Sequence, residues 1–183
     1  MRKLIKDGAL VDDPWTLLRD TAMLADVPDG VPVIVPLALW LAHRDDLLAR
    51  GAVGVWLAPD DDPEALADDI GRLPLIAVDF PQFTDGRGYS TARLLRQRYG
   101  YANELRAVGD VLRDQLFALA EVGFDAFALR ADQDAERALA AFNDFDTVYA
   151  PTVAQPAPWF RRRQQQQPPP PHAAPAGIPG SAP

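Results

Sequence analysis

Short apolar runs alternate with amphipathic stretches along most of this chain. Residues 31–35 (VPVIV), 52–57 (AVGVWL), 73–80 (LPLIAVDF), 104–108 (ELRAV) and 124–129 (FDAFAL) have the length and bounded apolar character of buried strands. A last short strand is predicted near residues 147–149. Helical patterns separate them. One runs over residues 41–50 and is ended by Gly51. A second starts at Asp62 and Pro63, an N-cap followed by proline at the first helical position, and stops at Gly71. A third, STARLLRQRYG, has Ser90 or Thr91 as its cap and Gly100 as its stop. A fourth, VLRDQLFALAEV, is capped by Asp110 and ends at Gly123. A fifth, AERALAAF, starts at Asp132 or Asp134. Near the start, LIKDGALV places Asp-Gly between apolar pairs, a hairpin signal. Strand and helix thus alternate with short connections, the pattern of an α/β fold with a mainly parallel sheet of about five or six strands. An open doubly wound sheet and a partial βα barrel both fit. In either, ligands bind where loops leave the carboxyl ends of the strands.

Composition divides the chain in two. Residues 1–154 are predicted to form a single α/β domain. From Gln155 the sequence carries half of the 18 prolines and a run of four glutamines. Such a segment cannot repay its ordering entropy by burial, so residues 155–183 are predicted to be a disordered tail. The net charge is −8, and all 26 acids precede residue 147. An acidic surface repels phosphate backbones and anionic lipid, so neither nucleic acid nor membrane is an expected partner. The opening MRKLIKDGALVDD has charges where a signal peptide needs an apolar run, and a cytoplasmic location is expected. There are no cysteines. Disulfides, thiolate zinc sites, cysteine-held iron–sulfur clusters and cysteine nucleophiles are thereby excluded. His43 and His172 are the two imidazoles, which excludes a histidine-rich metal site. His43 is read as a surface residue, Trp40 and Trp56 as core or core edge, and the aspartates at 60–62 as a solvated loop with a cap.

The segment DFPQFTDGRGYSTARLLRQRYGY, residues 79–101, leaves a strand and opens a helix. Gly86 and Gly88 would let backbone approach a ligand, Arg87 offers a planar fork for an oxyanion, and Thr84, Asp85 and Ser90 complete the loop. A turn with a serine cap and a solvated helix face accounts for the same spacing. Asp79 ends the third strand, where such folds present acids, or else caps the 84–86 turn. Asp110 and Arg113 follow the fourth strand, and Arg130 the fifth. If the sheet is parallel, Asp79, Arg87, Asp110, Arg113 and Arg130 share one rim. These ten positions are the candidate anion or cofactor site. No catalytic residue is assigned, and no metal is expected.

Residues 80–134 carry a more specific signature. FPQFTDGRGYS, then ARLLR, then ELRAVGDVLRDQ, then GFDAF occur in order. They resemble a bacterial family of formally unknown function whose members are described as oxidoreductases involved in sulfite reduction and are encoded beside assimilatory sulfite reductase and phosphoadenylyl-sulfate reductase. Pro36, Leu37 and Trp40 extend the likeness, and the tail lies outside it. The resemblance implies a cytoplasmic accessory protein of sulfur assimilation that binds an anion, a cofactor or one of those reductases. It does not imply the catalytic hemoprotein, because siroheme acts there with a cysteine-held cluster. Two alternatives stay open: a small oxidoreductase binding NADPH or a flavin through Gly86, Arg87, Gly88 and Ser90, and a non-enzymatic interaction module of the reductase, delivering or stabilising siroheme.

Overall fold

The computed structural model describes residues 3–140. Eight strands form one sheet: β1 (Lys3–Lys6), β2 (Ala9–Asp12), β3 (Thr16–Leu17), β4 (Val33–Pro36), β5 (Val53–Leu57), β6 (Leu75–Phe80), β7 (Glu104–Gly109) and β8 (Ala126–Phe127). Eight replaces the expected five or six. The hairpin contributes two strands, and β3 has only two residues, too short for an alternation to register. The hairpin itself is as expected: β1 and β2 pair antiparallel across Asp7 (φ 50°) and Gly8 (φ 74°), the two left-handed positions of a tight turn.

The strand order is β2-β1-β8-β7-β6-β5-β4-β3. From β3 to β8 each strand is parallel to the next in sequence, and β1 joins β8 antiparallel. Strands added in one direction by crossovers of one hand put every helix on the same face. The core shows this. Outward positions Val33, Val35, Val55, Ile76, Val78, Leu105 and Ala107 pack in one cluster with helical residues Trp40, Leu47, Leu95 and Leu116. The other face holds a small cluster of Ile34, Leu75, Ala77 and Val108, joined by Trp15, Leu17, Trp56 and Ala128. A doubly wound sheet carries helices on both faces; this one does not.

The sheet is curled for a covalent reason. Its two edge strands, β2 and β3, are joined by residues 13–15 alone. Laid flat, eight strands would separate those edges by roughly 34 Å. A three-residue connector spans at most about 14 Å. Of the two closures anticipated, the curled sheet with its helices on the outer face departs from the doubly wound one.

The helices are α1 (Leu37–Ala42), α2 (Arg44–Arg50), α3 (Arg87–Arg93), α4 (Leu116–Glu121) and α5 (Ala135–Leu139). Several local expectations change. The helix expected over 41–50 breaks at His43, whose backbone leaves the helical region (φ −135°, ψ 36°). The helix expected after Asp62 is a 3₁₀ helix, Pro63–Asp69, which Asp62 does cap by accepting from the Glu64 N–H (2.9 Å). α3 starts at Arg87, so Ser90 and Thr91 lie inside it rather than capping it; the Thr91 hydroxyl donates back to the Arg87 carbonyl (3.4 Å). Asp134, not Asp132, caps α5 through the Glu136 and Arg137 N–H groups. The strand near 147–149 and the tail fall outside the described residues.

Candidate functional site

The inward face of the sheet is polar at its centre. Alternation along β7 turns Leu105 and Ala107 outward, and Glu104, Arg106 and Val108 inward. Arg106 is 2% exposed and fully engaged. Its Nη1 donates to both oxygens of Asp13 (2.9 and 3.0 Å), and its Nε and Nη2 reach Glu104 Oε1 (2.7 and 2.6 Å). Lys6 closes the group on Glu104 Oε2 (2.8 Å), and this hydrogen bond raises the lysine pKa. Two carboxylates thus face two cations, which is the condition for keeping charge inside a fold. Asp13 lies in the connector between the sheet edges, so the group also ties that connector to β7.

Above it, at the carboxyl ends of the parallel strands, the curl opens. A cavity of about 370 Å³ is lined by Leu17, Arg19, Ile34, Arg106, Gly109 and Arg130, among others. An adjoining recess is lined by Arg19, Asp79, Phe80, Gly109, Asp110 and Arg130, among others. Arg19, Gly109 and Arg130 belong to both. Arg19 Nη2 donates to Asp79 Oδ1 (2.7 Å), and that bond raises the Arg19 pKa. The Arg19 guanidinium also lies 5.8 Å from the Trp56 ring centroid. Gly109 has φ 97°, a conformation that disfavours any side chain. A Cβ there would also meet the Phe80 carbonyl oxygen and stand 2.6 Å from Asp79 Oδ1. Glycine at this position keeps the carboxylate's surroundings open.

Arg130 links two loops. It reaches Asp110 through Nη1 (2.6 Å) and Asp132 through Nε and Nη2 (2.6 and 2.8 Å). These bonds, first to Asp132 and then to Asp110, raise the Arg130 pKa. They also lower that of Asp132 to about 2. The other oxygen of Asp110, Oδ2, accepts from the Phe83 N–H (2.9 Å), while Gln115 donates to the Phe83 carbonyl (2.9 Å). The loop after β6 is therefore clamped at both backbone polar atoms of Phe83, a residue that is 53% exposed.

Of the ten positions singled out in the sequence, Asp79, Asp110 and Arg130 meet at this mouth. Asp79 pairs with Arg19 rather than capping the 84–86 turn, and Asp110 holds that loop instead of capping a helix. Arg113 stands to one side, on a shallow surface shared with Arg130 and Arg137. The 84–90 loop has its own partners. Arg87 reaches Asp85 and Asp60, and Asp85 also accepts the Arg87 N–H (3.1 Å). Asp85 is held below the usual carboxylate range by Arg87. Gly86 has φ −80° and open space where a Cβ would stand. Gly88 is tight for packing: a Cβ there would lie 2.5 Å from Phe80 Cζ. Thr84 and Ser90 are exposed. Arg19 and Asp13 had no signal in the sequence, and Arg106 was one of six arginines between residues 79 and 113 with nothing to single it out. Arg19 sits in TLLRD and Arg106 inside an apolar run, and only the curl brings them together.

The family model described as "Bacterial protein of unknown function (DUF934)" matches residues 54–160, more than half of the chain. That span starts in β5; it includes Asp79, Arg106, Asp110 and Arg130 and leaves out Asp13 and Arg19. No curated protein matches the chain, and neither does any solved structure.

Proposed function

The chain belongs to this bacterial family of unknown function, DUF934, and we propose that it is an accessory protein of assimilatory sulfite reduction that binds a small oxyanion at the mouth of its curled sheet. The observation that carries the reading is Arg19. It lines both cavity and recess, and among the described residues it hydrogen-bonds through Nη2 alone, leaving Nε and Nη1 for a ligand. Arg130 stands across the mouth as a second cation. The cavity of about 370 Å³ and the adjoining recess of about 490 Å³ leave room for an oxyanion beside Arg19. The sulfur assignment comes from the resemblance of residues 80–134. With no cysteine in the chain, a siroheme–cluster centre belongs to a partner reductase.

The test is calorimetric titration of sulfite, sulfate, phosphate, NADPH and flavin mononucleotide against wild type, Arg19→Ala and Arg87→Ala. At least one oxyanion binds wild type, and Arg19→Ala weakens it tenfold or more, as expected for a charge-assisted contact of about 1.5–3 kcal/mol. Arg87→Ala leaves it unchanged. Binding lost in Arg87→Ala and kept in Arg19→Ala moves the site to the 84–90 loop. No oxyanion binding to wild type removes the reading.

Phe83 favours a second reading, contact with a partner reductase. An exposed aromatic on a clamped backbone is preorganised as an interface anchor. In cells grown on sulfate, Phe83→Ser then abolishes stoichiometric co-purification of sulfite reductase or phosphoadenylyl-sulfate reductase.

A further inference from the structure

The ion pair at the mouth leaves more than a cation free. Asp79 is 7% exposed, yet it is bound to Arg19 by one oxygen only. No described residue donates to Oδ2, and this atom is not among the sealed, unpartnered atoms of the interior. Asp79 lines the recess beside Arg19, Asp110 and Arg130. The site therefore presents unengaged donors, Nε and Nη1 of Arg19, together with a nearly buried acceptor, Oδ2 of Asp79. Gly109 keeps a Cβ away from this carboxylate.

We infer that the site selects oxyanions that retain a proton, hydrogen sulfite or a hydrogen phosphate, over fully deprotonated sulfate. This rests on the oxyanion reading above and names its ligand class. A protonated oxyanion gives its ionised oxygens to Arg19 and donates its O–H to Asp79 Oδ2. Sulfate has no proton to give at neutral pH. It would press an oxygen against a carboxylate that water reaches only sparingly, and both acceptors would stay unpaired. Buried carboxylates cannot escape that penalty by hydration, so discrimination comes from the mismatch rather than from a better fit of the right ligand. Charge alone would rank the same ligands in the opposite order, because sulfate at neutral pH carries more charge than hydrogen sulfite. The other charged groups facing the recess do not supply this acceptor. Asp110 is engaged at both oxygens, by Arg130 and the Phe83 N–H, and Arg130 is engaged at all three nitrogens.

The experiment is competitive calorimetry at pH 6.5 with inorganic phosphate, sulfite and sulfate on the full chain, wild type and Asp79→Asn. In wild type, phosphate and sulfite bind at least tenfold more tightly than sulfate. In Asp79→Asn, whose amide both donates and accepts, sulfate gains and the preference falls below threefold. The melting temperature of the variant is measured alongside. If Asp79→Asn does not fold, the wild-type ratio decides on its own. Equal binding of sulfate and phosphate by wild type overturns the inference while leaving oxyanion binding intact. An unchanged preference in a folded Asp79→Asn also overturns it, since the discriminating acceptor then lies elsewhere. Failure of all three anions to bind is the failure of the oxyanion reading itself.

Discussion

Gly88 shows how a residue chosen for one reason serves another. In a loop that reads as an anion cradle, its missing side chain suggests room for a ligand. In the fold, the space is taken by the Phe80 ring, which is itself held against Tyr89 (5.7 Å between centroids) and Phe124 (5.9 Å). Two effects oppose each other in Gly88→Ala. Alanine gains up to about 1 kcal/mol in helix propensity. Overpacking a ring that cannot retreat costs about 1–3 kcal/mol. Overpacking wins, and urea denaturation of Gly88→Ala shows a net loss of stability. Asp132 makes a second prediction at this scale. Its pKa in the folded protein lies below the ordinary value because Arg130 holds it, so its contribution to stability is complete above the ordinary aspartate range and is lost as pH falls through about 2. A carboxyl NMR titration therefore gives a midpoint near 2 in wild type. In Arg130→Ala the midpoint rises toward the ordinary aspartate value of about 3.9.

Between residues and fold stands the strand β7, which carries the buried ion group. Its outward residues meet helices, and its inward ones meet the connector of residues 13–15. Placing Arg106 there is costly unless every nitrogen is paired, and every one is. Removing the cation leaves Glu104 with Lys6 alone and Asp13, at 5% side-chain exposure, with no cation among the described residues. Arg106→Ala therefore costs about 3–5 kcal/mol, the penalty for an uncompensated buried charge. Chemical denaturation reads this directly. A loss under about 1 kcal/mol would mean that water enters the curl and solvates both carboxylates. Because the same group ties down the connector, Arg106→Ala also loosens Arg19, and anion binding weakens with stability.

At the scale of the molecule, the curl decides where ligands can go. A singly wound sheet has no crevice between two sets of helices, so its mouth is where the parallel strand ends converge on open space. None of the described helices is long and apolar enough to cross a membrane. The family match ends at residue 160, and the sequence beyond it is dominated by proline and glutamine. Deleting residues 161–183 is expected to shift the melting temperature by less than about 2 °C, since no apolar face is lost. A drop of about 10 °C would show that this segment packs on the domain.

Much was legible without coordinates because it is local. Apolar runs such as 75–80 and 104–108, with turn residues at their ends, are set by interactions over a few residues, and so are the Asp7-Gly8 hairpin and the Asp62-Pro63 start. The rim shared by Asp79, Asp110 and Arg130 was legible for the same reason: each lies at or just beyond the carboxyl end of a strand, and parallel strands end together. What the tertiary structure alone decided is which groups face each other across the sheet. The three-residue span between β2 and β3 bends eight strands until Asp13 reaches Arg106, 93 positions away, and Arg19 reaches Asp79, 60 positions away. No periodicity carries that information. A charge's partner is fixed by closure of the sheet, and closure depends on a chain-length constraint between edges that only the strand order reveals. So the candidate loop around Arg87 had the conspicuous motif, while Arg19, the mouth's cation with donors to spare, came from a segment with no motif at all.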